Sequence, residues 1–129
     1  MEPDFLPAQS YLGSCYFLKG MYEEALEMYR KHNNQYAVGN TYAKMGKLDE
    51  ARKILKNYIE RAKQGDYRPS FWIATLYFLL GDNEQGFRWL EKAYEYKDES
   101  MVFLKVSRAF DNVRSDPRFK ALLKKVGLD

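Results

Sequence analysis

One cysteine, one histidine and no glycine-rich phosphate loop leave this 129-residue chain short of the usual tools of catalysis. Cys15 has no partner for an intrachain disulfide, which fits a reducing compartment and so a cytoplasmic location. Cys15 and His32 lack a third group to orient them as a nucleophilic pair. Each has a plainer role, His32 in a turn near a helix C-terminus and Cys15 as a small buried hydrophobe. No Cys/His cluster has zinc-ligand spacing. The N-terminus, M-E-P-D-F-L-P, has neither the basic nor the apolar stretch of a signal peptide. The longest nearly apolar run, Phe71 to Leu80, falls well short of the ~20 residues a membrane span needs and predicts a buried core helix. The net charge of +3 is too small to argue for nucleic acid. These absences exclude a recognisable enzyme, a cofactor and a metal site, and they disfavour a membrane or nucleic-acid partner.

What the chain has is apolar residues, 46% of the total, and one spacing written three times. Gly13, Tyr16, Gly20 and Ala25 recur as Gly39, Tyr42, Gly46 and Ala51, then as Ala74, Tyr77, Gly81 and Gly86. Self-similarity of this kind marks a helical repeat. Helices are expected over about Pro7–Leu18, Tyr22–Lys31, Gln35–Met45, Asp49–Ala62, Ser70–Leu80 and Asn83–Tyr96. Glycine then falls between the two members of each pair. Ala25, Ala51 and Gly86 give the small side of each crossing, and Tyr16, Tyr42 and Tyr77 the large side. The acidic pairs Glu23–Glu24 and Asp49–Glu50 recur at helix starts, where they suit the helix dipole.

Leu12-Gly13-x-x-Tyr16 with Ala25-x-x-x-Tyr29, and its two echoes, resembles the tetratricopeptide repeat. The resemblance implies an all-α fold, a right-handed α-solenoid of about three helix pairs in a single domain over residues 1–129. The repeats would occupy about 6–31, 32–66 and 67–98, with a C-terminal cap over 99–129. The second-to-third period is 35 residues, but the first-to-second is only 26, so a shortened second helix and an irregular junction are expected. Pro3 stands where a preceding repeat would end. An uncovered apolar face on the first helix is therefore expected, and with it a homo-oligomer through that face.

The tail departs from the repeat pattern. Met101–Val106 reads as a short apolar helical piece and Ser107–Arg114 as turn-rich. Ser115-Asp116-Pro117 starts a last amphipathic helix that ends at Gly127. This ending is similar to those of bacterial tetratricopeptide arrays in signalling and regulatory proteins, with Ser107-Arg108-Ala109-Phe110 standing where D-P-R-F is usual.

The resemblance also implies a function, non-catalytic binding of a protein or peptide partner in a groove lined by the first helix of each pair. The corresponding residues are Ser10, Ser14 and Phe17, then Tyr36, Asn40 and Lys44, then Phe71, Thr75 and Phe78. A competing assignment puts Phe17, Phe71 and Phe78 in the core or under the tail. The lysine, asparagine and arginine clamp of chaperone-binding relatives is missing, since only Arg68 among Ser10, Ser14, Ala37, Arg68 and Trp72 suits it. Two other functions compete. One is nucleic-acid binding by the seven Lys and Arg residues between Lys105 and Lys125, and the other is a purely structural or oligomerising segment.

Overall fold

The computed structural model describes residues 5–105 and 107–128, with side chains from residue 12 onward except at 99 and 108. The helices are α1 (Phe5–Leu18), α2 (Tyr22–Lys31), α3 (Gln35–Lys44), α4 (Leu48–Lys63), α5 (Ser70–Leu79), α6 (Asn83–Glu95) and α7 (Pro117–Val126). Two 3₁₀ helices, η1 (Glu99–Phe103) and η2 (Arg108–Val113), join α6 to α7. Among the described residues there is no strand. The boundaries match the sequence expectation closely, except that α1 begins at Phe5 and not at Pro7. The expectations resting on Pro3 and on the first four residues lie outside the described residues.

The chain divides into two compact units, Met1–Ile54 and Leu55–Asp129. The first has a core of Ala25, Leu26, Tyr29 and Val38, with Tyr16, Phe17, Tyr42, Met45 and Ile54 packed against it. The second is built around α5, whose Phe71, Ile73, Ala74, Leu76 and Phe78 are all buried. Neither α1 nor α5 carries a charge, while α2, α4, α6 and α7 are amphipathic. An apolar stripe suits a helix covered on one side, and an all-round apolar helix suits one covered on every side.

The repeated spacing has a backbone cause. Gly20, Gly46 and Gly81 adopt φ of 78°, 79° and 88°, a region open to glycine and strained for residues with a Cβ. Each closes a helix by the same pair of bonds. The N–H after the glycine donates to the tyrosine carbonyl at 2.9 Å in all three copies, from Met21 to Tyr16, Lys47 to Tyr42 and Asp82 to Tyr77. The glycine N–H donates to the carbonyl after the tyrosine, at 3.0–3.1 Å. The four-residue step from tyrosine to glycine is therefore the geometry of the cap.

The side-chain part of the spacing works differently from the expectation. Ala25 and Ala51 are fully buried notches. The ring that fills the notch at Gly86, however, is Phe78 and not the neighbouring Tyr77. A Cβ on Gly86 would come within 2.7 Å of that ring. In the first copy Gly13 holds the notch and Tyr29 fills it, also at 2.7 Å. The short first period has a simple origin too. α2 has 10 residues against 16 in α4. The turn after α2 spans residues 32–34, half the length of the turn after α4 at 64–69. These two deficits, six residues and three, account for the whole difference between 26 and 35.

The tail keeps the repeat period without keeping its pattern. Arg118 pairs with Glu84 at 2.9 Å and Lys125 with Glu91 at 3.4 Å, both across 34 residues. α7 thus runs parallel to α6 one period on, with 3₁₀ turns in place of a fourth first helix. Asp98 ties η1 to α5. Its carboxylate accepts from the Ser100 N–H at 2.9 Å and the Phe71 N–H at 3.2 Å, capping both elements.

Candidate functional site

Of the nine residues expected to line a groove, three lie deep in the second unit. Phe71 is 0% exposed, Thr75 1% and Phe78 6%. The cause is Phe110 of η2. Its ring meets Phe71 edge-on at 5.6 Å and Phe78 at 5.4 Å, and Phe119 of α7 lies behind it at 5.6 Å. The Thr75 hydroxyl donates to the Trp72 carbonyl, so its polarity is spent locally. Lifting the tail would expose Met101, Leu104, Phe110, Val113, Phe119 and Leu122, each now at most 4% exposed. At ~1.5–3 kcal/mol per side chain that costs on the order of 10 kcal/mol, comparable to the whole stability of a domain. Phe71 and Phe78 are core, in line with the competing assignment, and Thr75 is buried with them, whereas Phe17 is only half-buried.

The other six belong to α1 and α3 of the first unit. The Ser10 side chain lies outside the described residues. Ser14 is exposed and its hydroxyl accepts from Tyr29 at 3.4 Å. Burial pushes the Tyr29 phenol above its usual range, and its hydrogen bonding with Ser14 offsets part of that rise. Phe17 is half-buried, edge-on to Tyr22 at 5.5 Å. Tyr36 and Asn40 are half-buried and Lys44 is exposed. They succeed one another at four-residue steps and so share one face of α3. The Asn34 side chain caps this helix by accepting from the Ala37 N–H. The Asn40 Oδ1 atom is itself buried and has no hydrogen-bond partner. A buried acceptor without a donor carries a cost of about 1–3 kcal/mol. That face therefore presents a half-buried aromatic ring, a half-buried amide and an exposed cation in a row.

Three of the seven basic residues of the tail are occupied with its own fold. Arg114 donates to the Lys105 and Ser107 carbonyls and to Asp111. Arg118 holds Asp116 and Glu84 and lies 4.2 Å from the Phe87 ring centre, and Lys125 holds Glu91. Sequence reasoning counts these as surface charge, because nothing in a local window reveals a partner 34 residues away. Cys15 is half-buried in α1, and His32 closes α2 with its Nε2 atom buried. Among the described residues no three His, Cys, Asp or Glu side chains gather as a metal site, and no helix is long and apolar enough to cross a membrane.

Paired helices, closed by one repeated cap, define a helical-repeat scaffold. The sequence profile of the tetratricopeptide repeat matches residues 8–37, 32–64 and 67–100, and the chain belongs to that family. The first two matches overlap at residues 32–37, where the short first period compresses the pattern. No curated protein matches the chain significantly, and neither does any solved structure.

Proposed function

We propose that this chain is a protein-interaction module that takes an extended segment or a partner helix on the α1–α3 face of its first unit. Tetratricopeptide repeats generally mediate protein–protein contact. The observation that carries the particular reading is the row of Tyr36, Asn40 and Lys44 along one face of α3, half-buried at its first two members and exposed at the last. Tyr36 and Phe17 supply apolar anchors, and Lys44 favours an acidic flank. The tail's similarity to the ends of bacterial arrays supports a place within a larger cytoplasmic signalling or regulatory protein.

The test is a photo-crosslinker placed at Asn40 and, separately, at Lys56 on the exposed face of α4. Specific products from position 40 that disappear in a Tyr36→Ala, Lys44→Ala background support the reading. Identical products from both positions refute it. A second reading has its own observation. On the uncharged α1, Leu12 is 43% exposed and Leu18 is 62% exposed, which suits homo-oligomer formation. Light scattering over a concentration series separates the two, since a constant single-chain mass removes the oligomer. The engagement of Arg114, Arg118 and Lys125 within the fold weighs against nucleic acid as the partner.

A further inference from the structure

The second unit carries a cleft of about 630 Å³ between the turn after α4 and the turn after α6. Asp66, Tyr67 and Arg68 form one wall, and Tyr96, Lys97 and Asp98 the other. Its size falls within the range of roughly 300–1,000 Å³ common to small-ligand sites. The Tyr67 and Tyr96 rings stack in parallel, 4.5 Å apart at 5°. The Lys92 ammonium lies 5.7 Å from the centre of the Tyr67 ring. Tyr96 nevertheless stays 54% exposed, so the stack ends in an open platform for a further planar group.

The charges of the cleft are unequal in availability. The Asp66 carboxylate already accepts from Arg61 at 3.0 Å and from Arg68 at 2.8 and 3.1 Å. Asp98 is taken by two backbone N–H groups. Arg68 keeps its side chain 86% exposed, and Lys97 is exposed as well. The lining itself balances Arg68 and Lys97 against Asp66 and Asp98, but both carboxylates are already bonded, and Arg61 and Lys92 stand just outside it, on Asp66 and the Tyr67 ring. A second observation points to the same place. Lys97 has φ of 55°, while the equivalent positions that close α1, α3, α4, α5 and α7 hold glycine and the one closing α2 holds Asn33. A long side chain kept in the left-handed region is strain of the sort that collects at binding sites.

We propose that this cleft binds a planar ring carrying a phosphate, with the ring on Tyr96 and the phosphate between Arg68 and Lys97. Arg68 and Lys97 supply the cationic contacts, and a phosphate offers them more acceptor oxygens than a carboxylate does. The site shares no residue with the α1–α3 face, so either assignment can fail without the other.

The test is amide NMR on the full chain at low ionic strength, titrated with phenyl phosphate, inorganic phosphate and phenol. Phenyl phosphate is expected to shift amides of residues 65–68 and 96–98, with affinity at least about tenfold above inorganic phosphate or phenol. Arg68→Ala should weaken it about tenfold. Lys97→Gly should weaken it several-fold while raising the melting temperature, which separates lost binding from lost folding. A nucleoside monophosphate and a phosphotyrosine peptide then tell a free ligand from a protein-borne one by which binds tighter. No shifts at about 10 mM, equal binding of inorganic phosphate, or unchanged affinity in Lys97→Gly overturns the proposal.

Discussion

α1 and α5 are the two uncharged helices, and each opens a helix pair. Their outcomes differ. α5 packs on α6 and is covered again by the tail, so Phe71 and Phe78 are sealed under Phe110. α1 packs on α2 and leaves Leu12 and Leu18 in the open. The same apolar composition thus serves as core in one place and as exposed surface in the other. The difference lies in whether a later segment of the chain returns to cover the helix, and not in the helix itself. Binding chemistry on the proposed α1–α3 face therefore stands apart from α5, whose rings are already sealed.

The largest test of this contrast is Phe110→Ala. It removes the ring that seals α5 and should cost about 3–5 kcal/mol by denaturant unfolding. Tyr36→Ala, on the half-buried face of α3, should cost less than about 1 kcal/mol. Equal losses would erase the distinction between sealed and open faces. Next come the notches. Gly86→Ala drives a methyl into the Phe78 ring and should cost about 1–3 kcal/mol. Gly13→Ala should behave alike, but its penalty should shrink in a Tyr29→Leu background, because leucine stands at the matching position, Leu55 or Leu90, in the other copies. A double-mutant cycle with no coupling would reject that account of the pairing.

Lys97→Gly should stabilise by about 0.5–1 kcal/mol, visible as a melting point a few degrees higher. The smallest expected effect is one of pH. Arg118 holds the Asp116 carboxyl below its usual range, and Arg68 with Arg61 holds Asp66 far below it. A depressed carboxylate contributes stability that is present above the unfolded value and fades as pH falls below about 4. Asp116→Asn should therefore flatten the acid limb of a melting-temperature profile slightly. Because both groups remain partly open to solvent, a steep change would point to other carboxylates.

The helix order, the caps and the short second helix are legible in the sequence because they depend on neighbours within a turn or two. Gly20, Gly46 and Gly81 announce positive φ, and Asp116-Pro117 announces a helix start. The features hidden from the sequence depend on distance. Phe110 reaches α5 across more than 30 residues, Asp98 caps Phe71 across 27, and Arg118 finds Glu84 across 34. Spacing suits Phe71, Thr75 and Phe78 to a groove, and only the tail's return decides that they are core. Lys97 gives no local sign of its strain, since lysine is common near helix ends.

Native-state hydrogen exchange measures the central contrast most directly. If the tail is integral to the second unit, amides of α5, η2 and α7 open together, with the free energy of global unfolding. If the η2 and α7 amides exchange through a separate opening of much lower free energy, the α5 face is not sealed, and the division between closed and open faces fails.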